Sequence, residues 1–143
     1  MAEKVVVDTY ALLSMAFGEL TKKAEEVMLD IRSRKIEGII TPAIVFEFTV
    51  HWLRGRIPAL KSLSEVKSFL QSYFSVIDLS FEDFIEGAKI KVEGDKIVST
   101  IGRKLSIVDA ISIQTAKKLK AKILTGDKDL TLVANKMGIE VIW

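Results

Sequence analysis

A chain of 143 residues, 49% of them apolar, suits one domain with a real core and leaves little room for a second. It has no cysteine and a single histidine, which excludes a disulfide framework, thiolate metal sites, cysteine nucleophiles and most zinc enzymes; a bound metal would take oxygen ligands, as Mg2+ and Mn2+ prefer. The net charge of +2 neither announces nor excludes a nucleic-acid partner, and no run approaches the roughly 18 apolar residues of a spanning helix, so a soluble cytoplasmic protein is expected, with no signal peptide before the first strand.

The first strand is expected over about residues 4–7, where Val5, Val6 and Val7 are β-branched in succession and end abruptly at Asp8 and Thr9. A short apolar segment, Tyr10 to Phe17, runs to Gly18. Thr21 then caps a helix whose apolar residues Ala24, Val27, Met28 and Ile31 form one face. Gly38-Ile39-Ile40 reads as a second strand, and Thr41-Pro42 as a cap with proline in the first helical position. The helix that follows, to about Arg54, is apolar nearly all round, and after the Gly55-Arg56-Ile57-Pro58 break it is expected to form a hairpin with a helix over about 63–74.

A third strand is expected at Val76-Ile77-Asp78-Leu79. Ser80 and Asp83 have capping-box spacing before a helix to about Lys91, and residues 92–104, punctuated by Gly94 and Gly102, read as loop or irregular helix. Ser106 opens a helix to about Lys120, Ala121 to Leu124 is a fourth strand, and Thr125-Gly126-Asp127 is a turn. A helix from Lys128 to Lys136 stops at Gly138, before a fifth strand from Ile139 to Ile142. Alternating strands and helices give an α/β fold with a mainly parallel sheet flanked by helices, in one domain over 1–143.

Four carboxylates stand out. Asp8 and Asp127 follow strands at the carboxyl end, where open α/β sheets bind ligands, and each also suits a helix cap. Asp109 lies three residues after Ser106, the spacing of a capping box. Glu47 sits in the most apolar helix of the chain, where a carboxylate is costly unless it is paired or faces a solvated cleft; the alternative is a polar edge shared with His51. Each acid has a structural explanation by itself. If strands one and four are neighbours, Asp8 and Asp127 flank one crevice, and four carboxylates converging there would raise each other's pKa values unless a divalent cation relieved them.

In this order and at these spacings the segments Val5-Val-Val-Asp8-Thr9, Thr41-Pro42 with Glu47, Ser106-Ile-Val-Asp109-Ala110, Leu124-Thr-Gly-Asp127-Lys-Asp129-Leu130 and Gly138-Ile-Glu-Val-Ile resemble the PIN domain, and within it the single-domain VapC-like ribonucleases. The resemblance covers nearly the whole chain. It implies a five-stranded parallel sheet of order 3-2-1-4-5 and Mg2+- or Mn2+-dependent cleavage of single-stranded or structured RNA. It makes Asp8, Glu47, Asp109 and Asp127 the acidic quartet, Asp129 a candidate fifth member, and Thr9 and Thr125 supporting hydroxyls. It also implies a small antitoxin partner, for which the apolar hairpin over 43–74, with Trp52, Leu53, Phe69 and Tyr73, is a candidate surface, as it is for a homodimer. A housekeeping RNA-processing nuclease without an antitoxin fits the same motifs. Tyr10 departs from the pattern, standing where a small residue is usual, and the 92–104 stretch is longer and less regular than expected.

RNA needs a positive approach to an acidic site, and Arg54, Arg56, Arg103 and Lys104 are the candidates, with ordinary solvated charge as the other reading. His51 is a candidate second ligand or RNA contact, or a partly buried structural histidine. A second class of function is an interaction module on the same fold without catalysis, against which the intact quartet argues. A phosphatase of the haloacid dehalogenase type wants an aspartate two residues after Asp8, where Tyr10 stands, and a receiver domain wants an acidic pair before its aspartate; neither pattern fits.

Overall fold

The computed structural model describes residues 2–143. The first strand, β1 (Glu3–Val7), lies at the centre of a five-stranded sheet with β2 (Ile36–Ile40), β3 (Phe74–Val76), β4 (Lys122–Leu124) and β5 (Val141–Ile142). All four pairings are parallel and the order is β3-β2-β1-β4-β5, as the resemblance implied. Among the described residues seven α-helices flank it: α1 (Thr9–Phe17), α2 (Lys22–Arg32), α3 (Pro42–Leu53), α4 (Leu63–Tyr73), α5 (Phe81–Val98), α6 (Ile107–Leu119) and α7 (Lys128–Lys136). Among the described residues no helix is long and apolar enough to cross a membrane.

The valines of β1 explain the layering. Successive strand residues face opposite sides of a sheet. Val5 and Val7 enter one core, with side chains from α1, α2, α3 and α4, while Val6 enters the other, with side chains from α5, α6 and α7. All three valines are fully buried, which is why the strand is continuously apolar rather than alternating.

Most helix boundaries follow the expected caps. The side-chain oxygens of Thr21, Thr41, Ser62 and Ser106 each accept the backbone N–H three residues on, at 3.0–3.2 Å. Gly18 ends α1 in the left-handed conformation at φ 70°.

Three expectations need correction. The third strand is Phe74–Val76, two residues earlier than expected, because α4 runs straight into it; Ile77 adds one further N–H to Ile40 O at 3.1 Å. The helix expected to end at about Lys91 runs on, so of the two readings of 92–104, loop or irregular helix, the helical one holds: α5 continues to Val98, a 3-10 turn spans Ser99–Ile101, and Gly102 turns the chain at φ 72°. The fifth strand is also shorter than expected, beginning at Val141 rather than Ile139.

The reason α5 persists is that its glycines face the core rather than break the helix. Gly87 and Gly94 lie two turns apart on its buried side. A Cβ at Gly94 would sit 2.5 Å from Leu105 Cδ2 and 3.3 Å from Val133 Cγ1. Close approach of the chain at Leu105 therefore requires the glycine. Leu105 is held there by its N–H to Asp95 Oδ1 (2.8 Å) and its carbonyl to Lys91 Nζ (2.7 Å), so α5 dictates where Ser106 starts α6 and hence where Asp109 stands. Gly94→Val is expected to cost about 1–3 kcal/mol through overpacking, despite its better fit to the helix interior than glycine. Urea unfolding would read this, and a variant as stable as the wild type would contradict the packing account.

Candidate active site

Parallel pairing puts the ends of β1 and β4 side by side: Val7 is in register with Leu124, and Asp8 N–H reaches Leu124 O at 3.4 Å. The residue after each strand is polar. Thr125 Oγ1 donates to Asp8 Oδ2 at 2.6 Å and accepts the Asp127 N–H at 3.0 Å, so one hydroxyl ties the two strand ends together. Both aspartates also cap helices. Asp8 Oδ1 accepts from Ala11 N and Asp127 Oδ1 from Leu130 N, each at 2.9 Å. The cap and site readings of these residues are therefore compatible: one carboxylate oxygen is used by the helix, and a carboxylate accepts at several positions.

Asp109 differs from its sequence counterpart Asp83. Both stand three residues after a capping serine. Asp83 returns its carboxylate to the Ser80 N–H (2.8 Å), completing the box, and pairs with Lys118 at 3.1 Å. Asp109 gives its N–H to Ser106 Oγ (3.0 Å), but among the described residues its carboxylate makes no return bond to the Ser106 backbone. It lines a cleft instead.

That cleft, of about 340 Å3, opens at the carboxyl ends of β1 and β4 and is lined by Asp8, Glu47, Asp109, Asp127 and Asp129, with Thr9 and Lys104. The four acids of the expected quartet and the candidate fifth thus share one cavity. Glu47 and His51, one turn apart on α3, both face it, so the polar edge of that apolar helix is the cleft wall. Thr9 Oγ1 is buried and has no hydrogen-bond partner among the described residues, an arrangement that costs about 1–3 kcal/mol in a protein interior.

The electrostatics follow from this crowding. Burial pushes the Asp8 carboxyl up to about 7, against the opposing bonds from Thr125 and Ala11, with Asp109 and Asp127 adding to the rise. Asp109 is pushed up to about 7 by burial first and then by Asp127 and Glu47. Five carboxylates line the cleft against Lys104 as the one lysine or arginine among its described lining residues. Its donors are oxygens, the set that a hard divalent cation prefers, and the buried Thr9 hydroxyl adds another. The donor chemistry therefore fits Mg2+ or Mn2+, although among the described residues no three Asp, Glu or His side chains are gathered closely enough to hold an ion as they stand.

The expected cations are distributed unevenly. Lys104 lines the cleft. Arg103 is exposed and its Nη1 contacts both Asp129 oxygens at 3.3 Å, so the candidate fifth acid already has a cation partner. Arg54 and Arg56 are exposed at the end of α3, outside the cleft lining, and Arg56 reaches it only through His51, with Nη1 3.1 Å from Nδ1.

Two features were not anticipated. Trp143 meets Tyr10 edge to face at the cleft mouth, with ring centroids 5.5 Å apart; a terminal residue carries no periodic signal that could have announced it. On α5 and α6, Phe81, Phe84, Val92 and Ile107 form an exposed apolar face beside a groove lined by Gly87 and Ala110, whereas on the 43–74 hairpin Trp52, Phe69 and Tyr73 are partly buried against the core and Leu53 is exposed. The signal was present as a second apolar stripe, Phe81, Phe84, Ala88 and Val92, running beside the buried one.

No curated protein sequence matches the chain. Among solved structures, it is similar to PAE2754 from Pyrobaculum aerophilum (20% identity, 99% of this chain and 90% of that one, TM-score 0.64). It is similar also to VapC20 from Mycobacterium tuberculosis, described as a Sarcin-Ricin loop cleaving toxin (17% identity, 89% and 92%, TM-score 0.65). A third is VapBC2 from Rickettsia felis, bound to a DNA fragment from its promoter (13% identity, 96% of each chain, TM-score 0.63). At these identities the likeness carries the fold. The sequence model of the PIN domain matches residues 5–136, nearly the whole of a chain whose sheet runs in the expected order, and the chain belongs to the PIN domain family.

Proposed function

We propose that the protein is a Mg2+- or Mn2+-dependent endoribonuclease, a hydrolase of RNA phosphodiester bonds, acting in the cytoplasm as the toxin of a VapBC-type pair. PIN domains are typically nucleases, and the similar structures from M. tuberculosis and R. felis are toxins or toxin–antitoxin proteins. The observation that carries the reading is the convergence of Asp8, Glu47, Asp109 and Asp127 on one cleft, with Asp8 and Asp109 pushed up in pKa by burial and by their neighbours.

In this reading Asp8, Asp109 and Asp127 hold the cation, directly or through water, and Asp129 is a further candidate. When bound, the cation offsets charge on the scissile phosphate and makes a water a better nucleophile at neutral pH. Glu47, which also lines the cleft, either joins them as a ligand or accepts a hydrogen bond from the attacking water and orients it. Thr125 fixes the Asp8 carboxylate by its 2.6 Å bond, and Thr9 lends the buried hydroxyl. Lys104 at the cleft, with Arg54, Arg56 and Arg103 around it, supplies the positive approach a polyanion needs.

The same reading assigns partners to surfaces. The apolar groove of about 510 Å3 between α3 and α4, lined by Val45, Leu63, Val66 and Leu70, takes a segment of the small antitoxin. The exposed face of α5 and α6 takes a second copy of the chain.

The test is cleavage of RNA with Mn2+ and with chelator, wild type beside Asp109→Asn. Cleavage is expected only with metal, and the variant is expected to be slower by about 100-fold or more while remaining folded. A wild type equally active in chelator, or an Asp109→Asn protein of undiminished activity, would overturn the assignment. A folded wild type with no nuclease activity would point to the interaction module.

A further inference from the structure

The floor of the cleft is acidic, and Lys104 is the one lysine or arginine among its described lining residues; Arg103 lies against Asp129, and Arg54 and Arg56 stand outside the lining. These cations favour the approach of a polyanion but offer no surface to a base. Aromatic surface does. Tyr10, in the first turn of α1 and two residues beyond Asp8, keeps 44% of its surface exposed while lining the cleft.

Tyr10 is also braced on one side. Trp143 packs against it at an interplanar angle of 81°, and the two rings close over Gly126. A Cβ on Gly126 would lie 2.5 Å from Trp143 Cε2 and 2.6 Å from Tyr10 Cε1. Gly126 is not among the glycines with positive φ, so the glycine of the Thr125-Gly126-Asp127 turn is required by these rings and not by the backbone. On the far side, Trp143 lines a second groove of about 550 Å3 with Gly126, Lys128, Thr131 and Asn135. The aromatic pair is thus the ridge between the acidic cleft and a neutral-to-basic groove.

We infer that Tyr10, buttressed by Trp143, is a stacking platform for an unpaired base next to the scissile phosphate, with the strand continuing over the ridge toward Lys128 and Asn135. A base locked in a duplex has no free face to offer Tyr10, so the platform serves an unpaired base. Stacking on an aromatic side chain tolerates any base and is worth about tenfold in affinity per base. Tyr10 acts on binding and not on the reacting atoms. The inference rests on the nuclease reading above for its cleavage arm, and stands apart from it in its binding arm.

The probe is a single-stranded oligoribonucleotide with one mapped cleavage site, together with the same strand carrying an abasic residue beside that site. Kd is read by fluorescence anisotropy without added metal, and KM and kcat with Mn2+. Tyr10→Leu is expected to weaken Kd and raise KM about tenfold, with kcat within about twofold, while Tyr10→Phe binds within about twofold of the wild type. The abasic strand is expected to bind the wild type about tenfold more weakly and to lose nothing further in Tyr10→Leu. Trp143→Phe, which keeps a ring against Tyr10, is expected to retain most of the affinity. Equal Kd for wild type and Tyr10→Leu at unchanged Tm would overturn the inference, as would equal losses on the intact and abasic strands. A wild type that binds the strand without cleaving it would remove the nuclease reading while the Kd comparison still decided the role of Tyr10. A wild type that neither binds nor cleaves would overturn both.

Discussion

Asp8→Asn is expected to abolish RNA cleavage, by about 1,000-fold or more, while making the metal-free protein more stable above pH 7. The two effects share one cause. Asp8 is 3% exposed, and its carboxyl is pushed up to about 7 by burial, so at neutral pH the fold holds a charge it would rather neutralise. Asparagine removes that charge and nearly preserves the shape. Its oxygen still accepts the Ala11 N–H, and its amide can donate to Thr125 Oγ1, which loses only the acceptor it now uses. Against a cost of about 1 kcal/mol for that rearrangement, relief of the buried charge contributes more, for a net gain on the order of 1–3 kcal/mol. Urea unfolding in chelator measures the gain and RNA cleavage in Mn2+ the loss. A less stable but active variant would mean that Asp8 is only a helix cap.

The metal-free protein is expected to lose stability as pH rises from about 4 to about 7. Asp8 and Asp109 ionise near 3.8 when the chain is unfolded and near 7 when it is folded. Between those values the native state binds more protons than the unfolded state, so the slope of unfolding free energy with pH is negative, and it levels off above about 7. The summed loss is on the order of 2–4 kcal/mol, less than two independent shifts would give, because the same neighbours act on both groups. At the acid end the sign reverses. The Ser80 N–H and Lys118 hold Asp83 down to about 2, and Lys91 with the Leu105 N–H lowers Asp95, so these contributions are present above about 4 and fade as pH falls below it. Melting temperature in chelator should therefore peak near pH 4–5, and saturating Mn2+ should flatten the neutral limb. A melting temperature that climbed from pH 5 to 8 without metal would refute the crowding of Asp8 and Asp109.

Much of the site was legible because its residues follow elements with strong local signals. Three consecutive β-branched residues place Asp8 at a strand end, and Thr41-Pro42 starts the helix that carries Glu47 to the cleft wall. Asp109 was harder. Its spacing from Ser106 is the spacing of Asp83 from Ser80, and only the fold separates the two: Asp83 is closed back onto its cap and faces Lys118, whereas Asp109 turns into a cleft that four other acids line. The 92–104 stretch reads equally as loop or irregular helix because glycine inside a helix is unfavourable by itself. Here the loss is offset by the close packing of Leu105 and Val133 that Gly94 permits, a contact between segments that local reading does not contain.

Local periodicity and cap chemistry, which act over three or four residues, determined the elements, their parallel arrangement and the carboxylates at their ends. Tertiary structure decided what those groups face. It joined Asp8 to Thr125 across 117 residues, paired Arg103 with Asp129, and brought the last residue of the chain, Trp143, onto Tyr10 beside the acidic cleft. The physical reason is range: capping and amphipathicity are intrasegment energies, whereas ion pairing, pKa displacement and aromatic contact depend on which distant segments the sheet order sets side by side.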